Sequence, residues 1–144
     1  MDKLTHNAHA RLQEMCDCYT DTDFAAEMAR AAAEPGADLT EGGLKYLALA
    51  LLHALSEKAV KLSFKSKKGT VTAKLVTEDG KSTLPAPSPA LFAELVATLR
   101  SILHLEDSGA SPLVLGLRSG QVDVAVKIKK DKDKESVKIT LPPL

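Results

Sequence analysis

The chain has 144 residues with 19 basic and 19 acidic side chains, so its formal net charge at pH 7 is zero. A hydrophobic share of 44% with 26% charged residues is typical of a globular protein and excludes a disordered chain. The charge balance also excludes a uniformly basic nucleic-acid-binding protein and an acidic solvating tail. The charges are unevenly distributed, however: residues 1–58 have a net charge of −5 and residues 59–144 a net charge of +5.

The first part of the chain shows helical periodicity. Apolar residues between positions 3 and 19 recur at every third or fourth residue, which predicts an amphipathic helix. An alanine-rich helix is predicted from Phe24 to about Glu34. A third helix, from about Glu41 to Lys58, is apolar on nearly all sides, so we expect it to be the most buried. Its Gly42-Gly43 pair is interpreted as a flexible start.

Strands are predicted from Ala59 onward, where the hydrophobic period changes from 3.6 to 2. Apolar residues alternate with polar ones from Val60 and again from Thr70, and Lys67-Lys68-Gly69 is interpreted as the turn between them. An Asp-Gly pair then indicates a hairpin, which favours a short third strand over residues 81–84.

A fourth helix separates these strands from three more. Ser88-Pro89 is typical of a helix start, because serine caps and proline suits the first turn, and the apolar pattern runs to about Leu105. The next strand is predicted over Leu113–Leu117, with Pro112 at its start. Alternation beginning at Val122 and at Val137 predicts the last two strands, with a solvated turn at residues 131–134.

These elements predict an α+β fold in the order ααα-ββ(β)-α-βββ. Strands joined by short hairpins are antiparallel, so we expect a single antiparallel or mixed sheet of five to six strands with helices on one face. Residues 1–38 are expected to form an N-terminal helical extension, and residues 39–144 the α+β domain.

The polar face of the predicted sheet carries much of the positive charge and is a candidate interaction surface. Its predicted lysines are Lys61, Lys65, Lys74, Lys127, Lys129 and Lys138. Clustered lysines attract phosphates and other anions, but proteins that bind single-stranded nucleic acid usually add stacking aromatic rings. The one ring in a predicted strand, Phe64, is expected to face the core. Charged strands also keep sheets from pairing with each other, an interpretation favoured here over nucleic-acid binding.

The histidines and cysteines do not have the spacing of a metal site. His9 and Cys16 are seven residues apart, which is about 10 Å along a helix. Zinc bonds of about 2.0–2.3 Å cannot span that distance, so solvated histidines, including His6, are favoured. Cys16 and Cys18 are too close in sequence for an unstrained disulfide, which agrees with a reducing compartment.

No catalytic motif is evident either. The chain has neither a phosphate-binding loop nor the short motifs of serine hydrolases and zinc metalloproteases. We therefore predict no catalytic, cofactor-binding or metal-binding residues, and we expect that the protein is not an enzyme. The alternative is an active site assembled from residues that are distant in sequence: His53, His104, Glu57 and Asp123.

Neither a signal peptide nor a membrane span is predicted. The most apolar stretch, Leu44–Leu55, rises only about 18 Å as a helix, whereas the bilayer core is about 30 Å thick. We expect a cytoplasmic protein.

Residues from about Leu44 to Leu141 resemble a known module in the order of their elements. The most specific stretches are Gly-x-Val-Asp-Val-x-Val at residues 120–126 and Glu-x-Val-x-Ile-x-Leu at residues 135–141. In these features the chain resembles the domain that precedes the motor in type II secretion and type IV pilus assembly ATPases. It departs from that family at Ala59–Phe64, where the family usually has Ser-Asp-Ile-His-Ile-Glu. It also lacks the ATPase motor.

The resemblance implies a non-catalytic interaction or adaptor module of the bacterial cytoplasm, related to secretion or pilus-type machinery. Such a module binds a protein partner and needs no cofactor. The alternative is binding of a small ligand or a nucleic acid through the lysine-rich sheet face. Weak homo-oligomers are a further alternative, because the acidic helical half of one copy can attract the basic sheet of another at low ionic strength.

Overall fold

The structure, a computed structural model, describes residues 10–17, 23–33, 38–117 and 120–142. Four helices and six strands lie within these ranges, in the order predicted from the sequence. They are α1 (residues 10–17), α2 (Phe24–Ala33), α3 (Leu39–Ser56), β1 (Lys61–Lys67), β2 (Thr70–Thr77), β3 (Gly80–Leu84), α4 (Pro89–Leu103), β4 (Gly109–Leu117), β5 (Gly120–Lys130) and β6 (Lys134–Thr140). The predicted α+β class is confirmed.

The six strands form one antiparallel sheet in the order β3-β2-β1-β6-β5-β4. Local turns explain the hairpins: Lys68 and Gly69 between β1 and β2 both have positive φ, as the commonest two-residue hairpin turn requires. The central pairing of β1 with β6 is long-range, and it brings the two hairpin units into one sheet. Helix α4 carries the chain from β3 at one edge to β4 at the other.

The core lies on one side of this sheet, between the strands and the helices. Alternate strand residues such as Leu62 and Phe64 are fully buried there. Helix α3 is the most buried helix, as predicted, and every residue from Tyr46 to Leu52 is buried. Because the helices pack on this side, the opposite face of the sheet carries no covering element in the described ranges.

The first two helices contribute to the same core. Leu12 of α1 and Met28 of α2 are fully buried in the cluster that includes the sheet residues. Arg11 of α1 also donates two hydrogen bonds to the carboxylate of Glu41 in α3, at 2.7 and 3.3 Å. The apolar core is therefore continuous across residue 38, which the sequence predicted as a boundary.

The start of β4 differs from the prediction. The expected strand was Leu113–Leu117, but β4 begins at Gly109 and contains Pro112 in its interior. Proline has no N–H to donate to a neighbouring strand. It is tolerated at Pro112 because β4 is an edge strand of the sheet. The prediction was wrong here because it treated the proline as a boundary.

Gly43 lies where α3 packs closely against α4. A Cβ added at this glycine would lie 3.3 Å from the backbone nitrogen of Leu95 and 3.4 Å from the Cβ of Glu94. Gly42 and Gly43 are both buried within α3, so the interpretation of this pair as a flexible helix start is wrong. The missing side chain at Gly43 lets the two helices pack closely.

The Gly43→Leu variant is expected to lower the free energy of unfolding by about 1–3 kcal/mol, because its side chain would overpack the α3–α4 contact. Gly43→Ala should leave the free energy of unfolding nearly unchanged, because a gain in helix propensity of about 1 kcal/mol offsets the cost of a tight contact. Urea unfolding monitored by circular dichroism measures both. The matched control is Ala97→Leu on the exposed side of α4; an equal loss in that variant would contradict the proposed cause.

Candidate functional site

The open face of the sheet is the candidate site, because it collects most of the basic side chains of the strands. The strand register places all six predicted lysines on this face, together with three others. The nine, called the lysine face below, are Lys61, Lys65, Lys67, Lys74, Lys81, Lys127, Lys129, Lys134 and Lys138.

Sequence reasoning missed three members of the lysine face. Lys67 and Lys134 were assigned to turns, but β1 extends through Lys67 and β6 begins at Lys134. Lys81 lies in β3 and pairs with Val76 of β2. Simple alternation was the available signal, because each of the three continues the every-second-residue pattern of its own strand.

Two pairs of lysines oppose each other directly across the sheet. Lys127 pairs with Lys138, and Lys67 pairs with Lys134. Like charges at directly opposite positions destabilise a sheet. Within the described residues, no lysine of the lysine face forms a salt bridge with a carboxylate. The described acidic groups therefore form no ion pair with these lysines.

Carboxylates are few among the strand residues of the lysine face. Asp123 is the one acidic residue that the described strands place on it, opposite Val114 near the far end of β5. Glu135 follows Lys134 directly in β6 and so lies on the opposite side of the strand. There its carboxylate pairs with the guanidinium of Arg100 in α4. Of the two acidic residues in the described strands, alternation thus places one on each side of the sheet.

Ser136 lies at the centre of four of these lysines. It pairs with Lys65 of β1 on one side and with Lys129 of β5 on the other. Lys134 and Lys138 lie two residues before and after it in the same strand. Neighbouring strands are about 4.8 Å apart and alternate residues about 6.6 Å apart, so lysines occupy all four nearest positions around one hydroxyl.

A depression of about 220 Å³ opens at this point and is called the Ser136 depression below. Its lining includes Ser63, Lys65, Lys129, Asp131, Lys134, Ser136 and Lys138. Phe64 also borders it, but the Phe64 side chain is fully buried on the helix side. The lining therefore combines two hydroxyl-bearing residues, four cationic ones and the carboxylate of Asp131.

The crowding of ammonium groups is strongest at Lys65. Contact with the side chain of Lys134, together with the charges of Lys67 and Lys74, lowers the pKa of Lys65 below its ordinary value of 10.5. The folded state thus disfavours the protonated form, so the fold is weakened while Lys65 is charged. This penalty is relieved as the pH rises through the lowered pKa toward 10.5. A bound anion would have the opposite effect, because it favours the ammonium form.

The four residues of the alternative active site are not brought together. His53 belongs to α3, and His104 follows α4 with a left-handed φ of 57°. Glu57 lies at the C-terminal cap of α3. Asp123 lies on the open face, so the sheet separates it from the helical layer. The four side chains therefore do not form one group.

The cysteine within the described ranges, Cys16, is a core residue. It is 1% exposed, and burial raises the pKa of its thiol to about 12, with a smaller contribution from the charge of Asp17. The thiolate is the reactive form of cysteine, so this side chain is inert near neutral pH. His6, His9 and Cys18 lie outside the described residues. Among those described, no three histidine, cysteine or acidic side chains group as metal ligands.

Comparison with protein-family models gives no match for this chain, and comparison with curated proteins gives no relative. The resemblance to the secretion ATPase domain remains a prediction. Across the described ranges, no helix has the length and apolar character needed to cross a membrane.

Proposed function

We propose that the protein is a non-catalytic interaction module that binds an acidic protein partner through the lysine face. The observation that carries the proposal is the direct opposition of Lys127 to Lys138 and of Lys67 to Lys134 on an uncovered sheet surface. Such opposition weakens the fold, and an acidic partner relieves it by neutralising both members of each pair.

The surroundings of the lysine face support a protein partner over a nucleic acid. The rings within the described ranges lie on the helical side: Phe64 and Tyr46 are fully buried with their centroids 5.9 Å apart. Proteins that bind single strands without sequence preference use exposed aromatic rings as stacking platforms. A broad cationic surface without such rings suits flexible carboxylate side chains better than bases.

The sequence resemblance adds a biological setting to the same proposal. A relative of the domain that precedes the motor in secretion and pilus assembly ATPases would act as a docking adaptor in the bacterial cytoplasm. In that role the lysine face would hold an acidic segment of the machinery, and the chain itself would perform no reaction.

The test measures the affinity for a fluorescently labelled poly-glutamate peptide at low ionic strength. Wild type is compared with the triple variant Lys61→Gln/Lys74→Gln/Lys127→Gln. Exposed ion pairs contribute about 0.2–1 kcal/mol each, so losing three of them should weaken binding about tenfold. Fluorescence anisotropy gives both dissociation constants, and added salt should weaken wild-type binding by screening.

The matched control is Arg30→Gln/Lys45→Gln/Lys58→Gln, which removes the same charge from residues outside the lysine face. It should retain wild-type affinity, and an equal loss would show that only net charge matters. Failure of wild type to bind poly-glutamate overturns the proposal, as does tighter binding of a single-stranded oligonucleotide of equal charge. Sedimentation at low and high salt identifies a second copy as the partner if the mass rises at low salt.

A further inference from the structure

The Ser136 depression is more specific than the rest of the lysine face. Four lysines occupy the nearest-neighbour positions around Ser136. Four also surround Ser63, the second serine of the lining: Lys61 and Lys65 flank it in β1, and Lys74 and Lys138 pair with it. Within the described residues no hydrogen bond is assigned to the hydroxyls of Ser63 and Ser136, which both line the depression. Four cations and two free hydroxyls, with the one carboxylate of Asp131, therefore line a small volume.

We propose that the Ser136 depression binds the phosphate of a phosphorylated serine or threonine in the acidic protein partner. This inference rests on the proposed function, which supplies an acidic protein as the partner. The new part is the chemical group that the partner presents to the depression, a phosphate. Lys65, Lys129, Lys134 and Lys138 supply the positive charge, and the hydroxyls of Ser63 and Ser136 supply further donors.

Charge and size favour a phosphate monoester over a carboxylate. A phosphorylated side chain carries about −1.5 to −2 charges near neutral pH and presents three strong acceptor oxygens. A carboxylate has one charge and two oxygens, and so leaves more of the surrounding ammonium charge unneutralised. The volume of about 220 Å³ suits a phosphate, while it is below the roughly 300–1,000 Å³ of pockets that enclose drug-sized ligands.

The charge around the depression favours a phosphate carried on a protein over a free ion. Lys61, Lys74 and Lys127 lie on the same face outside the depression. They extend the positive surface along β1, β2 and β5, where acidic residues flanking a phosphorylated side chain would lie. Inorganic phosphate uses the depression alone, whereas an acidic phosphopeptide also gains from these lysines.

The experiment compares three acidic peptides that differ at one central position, which is serine, glutamate or phosphoserine. Wild type is expected to bind the phosphoserine peptide at least about tenfold more tightly than the serine peptide, through new charge-assisted hydrogen bonds. The glutamate peptide should stay close to the serine peptide. Inorganic phosphate should compete with the phosphoserine peptide, but only at much higher concentration.

Two matched double variants separate the depression from its surroundings. Lys65→Gln/Lys129→Gln removes the lysines that flank Ser136 across the sheet and should reduce the phosphoserine preference to about twofold, the level expected of charge alone. Lys81→Gln/Lys127→Gln removes the same charge from two lysines that neither line the depression nor lie next to Ser63 or Ser136. It should weaken the binding of all three peptides and preserve the preference. Thermal unfolding checks that both variants fold.

The outcomes are distinct. Equal binding of all three peptides by wild type overturns the phosphate site and leaves the proposed function standing. Binding of the phosphoserine peptide without any binding of poly-glutamate or of the serine peptide supports the site and overturns the broader acidic-surface function. If both double variants lose the preference for the phosphoserine peptide equally, the phosphate does not bind in the Ser136 depression. Tighter binding of an oligonucleotide than of the phosphoserine peptide overturns the partner class.

Discussion

Replacing Phe64 by alanine is expected to lower the free energy of unfolding by about 3–5 kcal/mol. Phe64 is fully buried in β1, at the centre of the sheet, with its ring 5.9 Å from that of Tyr46. Tyr46 is held in turn by a hydrogen bond that its hydroxyl donates to the carbonyl of Pro85. The truncation leaves a cavity between the central strand and α3, and the loss is a large part of a typical stability of about 5–15 kcal/mol.

Equilibrium unfolding in guanidinium chloride measures this change. Phe64→Leu should lower the free energy of unfolding by less than Phe64→Ala, because a smaller volume is removed. Val60→Ala, at a residue that is 40% exposed, should change the free energy of unfolding by less than about 0.5 kcal/mol. A loss below about 1 kcal/mol for Phe64→Ala would contradict the packing described. A similar loss in Val60→Ala would show that the cause is not burial.

The Lys67→Glu/Lys127→Glu variant is expected to be more stable than wild type and yet to bind poly-glutamate on the order of 100-fold more weakly. Each substitution converts one opposed lysine pair into an ion pair, with Lys134 and Lys138 respectively. Cross-strand opposite charges contribute about 0.2–1 kcal/mol, and a repulsion is also removed. The same changes reverse two charges of the lysine face, so an acidic peptide loses attraction and meets repulsion.

In this variant the stability is expected to rise while the affinity for poly-glutamate falls. Denaturant unfolding and fluorescence anisotropy measure stability and affinity on the same samples. Adding Lys134→Glu and Lys138→Glu restores opposition with the other sign, so stability should return toward the wild-type value while binding stays lost. A parallel fall of stability and affinity in the double variant would indicate that these lysines serve the fold rather than a partner.

The sequence predicted the elements well where local physics decides them. Alternation defined the strands, and the serine and proline at residues 88 and 89 defined the start of α4: the side chain of Ser88 accepts a hydrogen bond from the N–H of Leu91. The errors occurred where a residue type has two uses. Pro112 stands inside an edge strand, and Gly43 lies in a helix contact. Both positions depend on neighbours that are distant in the chain.

The candidate surface was partly visible in the same pattern. Six lysines were assigned to the open face from alternation alone, and the register places each of them there. The surroundings of Ser136 could not be predicted in full, because Lys65 comes from β1, and the pairing of β1 with β6 is not written in the alternation of either strand. Backbone hydrogen bonds between strands are alike for most residues, so register and order follow from packing of the whole core.

The charged surface of this protein is determined partly by the sequence alone and partly by the tertiary structure. The sequence by itself determined an acidic helical half, a basic strand half and the alternation that puts lysines on one side of each strand. Only the tertiary structure joined β1 to β6, which opposes Lys67 to Lys134 and adds Lys65 to the three lysines that the β5–β6 hairpin places around Ser136. The physical reason is that side-chain period is a local property, whereas the charge density of a face depends on which strands the core brings together.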